Sequence, residues 1–88
     1  MYKAEVEIKN AAGLHARPAS VFTKESSKFK SDIIVSKNGK EYEAKSILGI
    51  LSMSASKGDV LTISADGADE KEAVTALVAL IESGFGEL

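Results

Sequence analysis

The sequence predicts an α+β fold, an open-faced β-sandwich of order β-α-β-β-α-β-α in which a four-stranded antiparallel sheet carries three helices on one face. Three patterns lead there. Tyr2 to Ile8 and Val60 to Ala65 alternate apolar with polar residues, the period-two signature of strands with one buried face. Asn38-Gly39 joins two β-prone runs through positions that tolerate positive φ, a strong short hairpin signal. Ala73, Val74, Leu77, Leu80 and Ile81 form an apolar stripe of helical period. Strands with a single buried face need helices on that face alone. A helical crossover makes strands 1 and 2 parallel and leaves room for strand 4 between them, which gives the sheet order 1-4-2-3.

Taken in order, strand 1 (Tyr2–Ile8) leads into a loop, Lys9–Gly13, where Gly13 supplies a backbone angle or close approach that other residues resist. Helix 1 runs from Ala16 to Ser27 or Lys28. Pro18 falls in its first turn, where a missing N–H costs nothing, and Ala16, Ser20 and Thr23 leave a face of small side chains. Strand 2 is Asp32–Lys37 and strand 3 is Lys40–Ala44. Ser46 is the expected N-cap of helix 2, which ends at Ser52 or Met53. Its Ile47, Leu48, Ile50 and Leu51 exceed what one face of so short a helix can bury, so Ile50 is assigned to the core and the others partly to the surface. Residues 54–58 turn the chain into strand 4, and Asp66-Gly67 closes it. Helix 3 opens with Asp69 and Glu72 as cap and third-position partner. It ends at Gly84, a left-handed C′ residue, with Phe85 folding back onto Leu80 or Ile81.

A chain of 88 residues fits one domain, residues 1–88. It has no cysteine, hence no disulfide framework and no thiolate chemistry. No apolar run approaches the roughly 20 residues of a membrane span, and the N-terminus lacks a signal-peptide pattern. The expectation is a cytoplasmic protein with no membrane insertion. A net charge of −2 argues against direct nucleic-acid binding. The charge is uneven: residues 1–30 carry six Lys or Arg against three Asp or Glu, and the remainder carry five against ten. Arg17, Lys24 and Lys28 share one face of helix 1. That stripe is either a solvated helix face or a surface that steers an acidic partner. One histidine and no cysteine give no metal-ligand spacing, and no cofactor is expected.

The chemistry concentrates in Gly13-Leu14-His15-Ala16-Arg17-Pro18-Ala19, which holds the only histidine, arginine and proline of the chain. His15 falls where a loop hands over to a helix N-terminus, the place where unpaired amides and the positive end of a helix dipole attract an anion. A neutral imidazole is a nucleophile near pH 7, and the same helix end favours the dianionic phosphoryl group that would follow attack on phosphorus. Arg17 adds a planar fork suited to phosphate. On the residues alone, a solvated loop or N-cap histidine remains as good a reading.

This run, together with K-S-I-L-G-I-L-S-M at Lys45 to Met53, strongly resembles the HPr family, the histidine-containing phosphocarriers of the bacterial sugar phosphotransferase system, here of the Gram-positive type. The resemblance covers nearly the whole chain. It implies the 1-4-2-3 topology and a carrier rather than an enzyme. His15 then takes a phosphoryl group from enzyme I, using Nδ1, and passes it to the EIIA components of sugar permeases, with Arg17 and the backbone N–H of Ala16 assisting. Helices 1 and 2 become the docking surface, through Ser20, Lys24, Ile47, Leu48 and Leu51. The serine matching Ser46 is phosphorylated in such proteins by HPr kinase/phosphorylase, and that form acts as corepressor with a catabolite-control transcription regulator. Bottom-up, Ser46 is first an N-cap, and a phosphate there meets free amides without unfolding the helix. A small carrier of this kind is most simply a monomer.

Four positions depart from the family pattern. Ala12 stands where a polar residue often precedes the glycine, which removes a hydrogen bond able to orient the imidazole. Leu48 and Leu51 replace frequent methionines, a nearly volume-conserving swap. Ser54 stands where glycine is common. Two competing functions are a histidine-dependent phosphatase and a regulatory module acting through Ser46 alone. The first lacks a carboxylate close to His15 and room for a substrate cavity, and the second leaves His15 without a task.

Overall fold

The computed structural model describes residues 1–86. The chain runs β1 (Tyr2–Glu7), α1 (Ala16–Ser26), β2 (Asp32–Lys37), β3 (Lys40–Glu43), α2 (Ile47–Ser52), β4 (Val60–Asp66) and α3 (Glu70–Glu82), with a short 3-10 turn at Gly84–Gly86. The sheet has the order β1-β4-β2-β3 and every neighbouring pair is antiparallel. Register follows the apolar alternation: Val6 lies opposite Leu61, and Val35 lies between Ile63 and Tyr42. A slip of one residue would turn this set out of the core.

The helices cover one face of the sheet. α3 lies on β1 and β4, while α1 packs between α2 and α3. Phe22, Ile8, Ile33, Ile50, Leu61, Ile63, Leu77 and Ile81 are fully buried between the layers. Each such side chain contributes roughly 1.5–3 kcal/mol relative to exposure. The hairpin is as its dipeptide requires, with Asn38 at φ 52° and Gly39 at φ 81°, both left-handed.

Element ends differ from the sequence reading by one or two residues, for identifiable reasons. Ile8 leaves β1, yet its N–H still donates to Asp59 O (2.9 Å) and its carbonyl accepts from Gly58 N (2.9 Å). Ala44 likewise leaves β3 while donating to Ile33 O. α1 ends at Ser26 as the backbone tightens, with Lys28 N and Phe29 N donating to Glu25 O (3.1 Å) and Ser26 O (3.2 Å), and the hydroxyls of Ser26 and Ser27 add bonds to the carbonyls of Phe22 and Thr23, each at 2.8 Å.

Two local expectations are corrected. Thr23 is not part of an open face. It is buried, and its hydroxyl donates to Ser20 O. Asp69 occupies the N-cap position of α3, but its side chain makes no capping bond. Its carboxylate instead accepts from the amides of Lys30 (2.9 Å) and Ser31 (3.0 Å) and from the Ser31 hydroxyl, tying α3 to the α1–β2 loop. The Ser31 hydroxyl first, then the Lys30 amide, holds the Asp69 carboxyl down at about 2. The acid that reaches back at this corner is Glu70, which accepts from Gly67 N at 3.1 Å, in place of Glu72.

Candidate functional site

The loop that carries His15 is fixed from below before the helix begins. Gly13 has φ 66°, and a Cβ built on it would lie 2.4 Å from Ala55 O and 2.8 Å from Ser56 Cα, so both backbone angle and space exclude a side chain. Gly13 N donates to Asn10 O (3.1 Å), and the Asn10 side-chain amide donates back to Gly13 O (2.8 Å). Leu14 N donates to Ala55 O (3.0 Å) while the Leu14 side chain enters the core. Pro18 and Ala19 are buried on the inner face of the first turn. Held on both sides, the chain leaves His15, Ala16 and Arg17 exposed together.

His15 is the N-cap residue of α1, with extended backbone (φ −78°, ψ −173°), and its carbonyl accepts the first helical bond from Ala19 N at 2.9 Å. The imidazole does not serve as the cap. A helix's first amides lack intrahelical partners; Pro18 has none to offer, so those of Ala16 and Arg17 remain, on the two residues that follow His15. No acidic residue sits in that turn to neutralise the helix end. His15, Ala16 and Arg17 are thus three consecutive exposed residues at the N-terminus of α1, the end of a helix that attracts negative charge.

Ser46 begins α2. Its backbone is extended (φ −103°, ψ 116°) and its Oγ accepts from Gly49 N at 3.1 Å, so the N-cap role is real. Ile50 is fully buried, whereas Leu48 is 76% exposed and Ile47 and Leu51 are 39% and 36% exposed. With α2 packed against α1, these side chains adjoin the helix that presents exposed Ser20 and Lys24. An exposed apolar cluster rimmed by polar residues is the composition of a protein-docking face.

Three contributors escaped sequence reading. Asn10 is 1% exposed and stitches the histidine loop from inside, which the exposed Ala12 cannot do. Lys37 reaches from β2 to Met53 O (3.1 Å), Ser54 O (3.3 Å) and the Asp59 carboxylate (3.2 Å). Asp59 in turn accepts from Ser56 N at 2.8 Å, and that bond, then Lys37, lowers its carboxyl below the usual value. This brace holds residues 54–59, the platform on which Gly13 and Leu14 rest. Ser54 adopts φ 53°, the conformation for which glycine is suited. Among the described residues no group of three His, Cys, Asp or Glu is placed to hold a metal, and no helix is long and apolar enough to cross a membrane.

The sequence model described as "PTS HPr component phosphorylation site" matches residues 2–83. The phosphocarrier protein HPr of Neisseria meningitidis is 47% identical over 99% of this chain and 98% of its own. The HPr-like protein Crh of Halalkalibacterium halodurans is 44% identical over 93% of this chain and 98% of its own. A crystal structure of HPr from Thermoanaerobacter tengcongensis, 55% identical, superposes with a TM-score of 0.97 over 100% of this chain and 99% of that one. A second structure of that protein is a dimer, with a TM-score of 0.79, so the expectation of a monomer does not carry over from relatives.

Proposed function

The chain belongs to the HPr family, phosphocarriers of the bacterial phosphotransferase system rather than enzymes, and from that premise we propose that His15 is the residue that carries the phosphoryl group. The observation that carries this is the exposed imidazole at the N-terminus of α1, flanked by the Ala16 amide and Arg17, on a loop otherwise clamped to the core. A ring nitrogen attacks the phosphorus of the group held by enzyme I. The new N–P bond forms as the donor's bond to phosphorus breaks, and the donor keeps that electron pair. The Ala16 and Arg17 amides and the Arg17 guanidinium meet the negative oxygens, so charge is stabilised without a pocket. Transfer to an EIIA component runs the same step outward. The test is a phosphorus NMR spectrum of the chain after incubation with phosphoenolpyruvate and enzyme I: a phosphoramidate resonance that acid removes supports the reading.

Ser20 and Lys24 of α1 and Ile47, Leu48 and Leu51 of α2 form the face on which both partners dock, in turn. Ser46 lies at the start of that apolar face, and its phosphorylation by HPr kinase/phosphorylase adds charge there. The phosphorylated form then serves a catabolite-control transcription regulator as corepressor. Similarity to a Crh protein supports this regulatory arm, and the presence of His15 supports the carrier arm alongside it. Residues 1–88 act as one unit in the cytoplasm. ATP and the kinase are expected to add one phosphoryl group to the native chain and none to Ser46→Ala.

A further inference from the structure

The two halves of the site sit on different elements. His15 heads α1, whereas Ile47, Leu48 and Leu51 of the apolar patch lie on α2. A partner seated on α2 transfers a group only if the imidazole stands at a set distance from that seat, since a misplacement of about 1 Å costs about a hundredfold in rate. Something must hold the histidine loop in register with the docking helix.

Lys37 spans the two. It is the last residue of β2, a strand paired on both sides, and it shares the helical face of the sheet with Ile33 and Val35. Its side chain is 17% exposed. An ammonium has three hydrogens to donate, and this one meets three acceptors. Two are the carbonyls of Met53 (3.1 Å) and Ser54 (3.3 Å), where α2 ends. The third is an Asp59 carboxylate oxygen (3.2 Å), which also accepts from Ser56 N (2.8 Å). Between them lies Ala55, whose carbonyl accepts from Leu14 N (3.0 Å), one residue before His15. The other end of the histidine loop hangs on the same segment: Ile8 N donates to Asp59 O and Gly58 N to Ile8 O, each at 2.9 Å. An ion pair near the surface adds little to stability. This one ties the end of the docking helix to both ends of the loop that carries the imidazole.

We propose that Lys37 is a positioning residue for phosphoryl transfer, fixing the spacing between the α2 docking face and the His15 imidazole. This rests on the carrier and docking roles assigned above. The Lys37 ammonium is engaged by the chain itself, so it acts through Ala55 and Leu14 rather than on the phosphoryl group.

Two phosphoryl donors separate spacing from reactivity: phosphorylated enzyme I, which must dock, and phosphoramidate, a small donor that needs no seat. With phosphoramidate the imidazole nitrogen takes the phosphoryl group, and ammonia leaves with the electron pair of the broken P–N bond and a proton. K37M keeps the stem and removes the ammonium. It is expected to lose about ten- to a hundredfold in kcat with phosphorylated enzyme I while KM changes little, and to react with phosphoramidate at the native rate. K37R, which offers several donors to the same acceptors, is expected to recover most of the loss. D59N is expected to show the same split and carries the test if circular dichroism finds K37M unfolded. Native kcat in the folded variant, or an equal loss with both donors, would overturn the proposal; the second result would place the effect on the histidine loop alone. H15A, run alongside, keeps the two readings apart, because acceptance by that variant refutes His15 as the carrier whatever Lys37 does. Amide spectra of the free chain test the joint without any transfer. In K37M, or in D59N if that variant carries the test, they are expected to shift at Leu51–Ser54 and at Leu14–His15 together, and shifts on one side alone would overturn the proposal.

Discussion

Gly13 approaches Ala55 so closely that a β-carbon built on residue 13 would lie 2.4 Å from the carbonyl oxygen of residue 55. The contact is between the loop that presents His15 and the platform braced by Lys37 and Asp59. Gly13→Ala is expected to cost about 1–2 kcal/mol for the left-handed backbone alone, and more once the loop shifts to relieve the clash. A displacement of about 1 Å at the reacting atom is enough to slow transfer about a hundredfold. Thermal melting and the rate of phosphoryl acceptance read the two effects separately.

Ser54 points the other way. Its φ of 53° is strained for a residue with a Cβ. Ser54→Gly is expected to stabilise the chain by about 0.5–1 kcal/mol, the left-handed strain removed less the added freedom of the unfolded chain. A rise in melting temperature, with transfer rates unchanged, is the expected result.

Asp69 predicts an acid dependence. Its folded carboxyl lies at about 2, below its ordinary value of 3.8, because the Ser31 hydroxyl and Lys30 amide bond its charged form. The stability this contributes is therefore fully present above pH about 4 and is lost as pH falls toward 2. Asp69→Asn is expected to be less stable than the native chain near neutral pH and to lose less on acidification across that window. Denaturant unfolding at pH 6, 4 and 2 measures the difference.

Arg17 is exposed, and nothing in the packing depends on it. Arg17→Ala is expected to change stability by less than about 0.5 kcal/mol while slowing phosphoryl transfer by roughly ten- to a hundredfold, the loss of one charge-assisted contact of about 1.5–3 kcal/mol. Rapid-quench kinetics with phosphorylated enzyme I separates this from a binding defect.

What sequence made legible was local. Alternation in β1 and β4, the Asn38-Gly39 turn, the Ser46 cap and the burial of Ile50 each depend on residues a few positions apart, and each appears as expected. Exposure of Leu48 followed from counting apolar residues on a six-residue helix. The misses are long-range. Asp69 read as a helix cap, because its real partners, Lys30 and Ser31, stand 39 and 38 positions away. Lys37 carries no local sign that it will reach Met53, Ser54 and Asp59. Asn10 falls within the loop Lys9–Gly13, and nothing local marks it for burial beneath the histidine loop.

The central claim is that His15 carries the phosphoryl group, and intact-mass spectrometry after incubation with phosphoenolpyruvate and enzyme I tests it most directly. The native chain is expected to gain the mass of a single phosphoryl group, lost in acid, and folded His15→Ala is expected to gain none. An adduct of equal yield on His15→Ala, or none on the native chain beside an active enzyme I, would contradict the account.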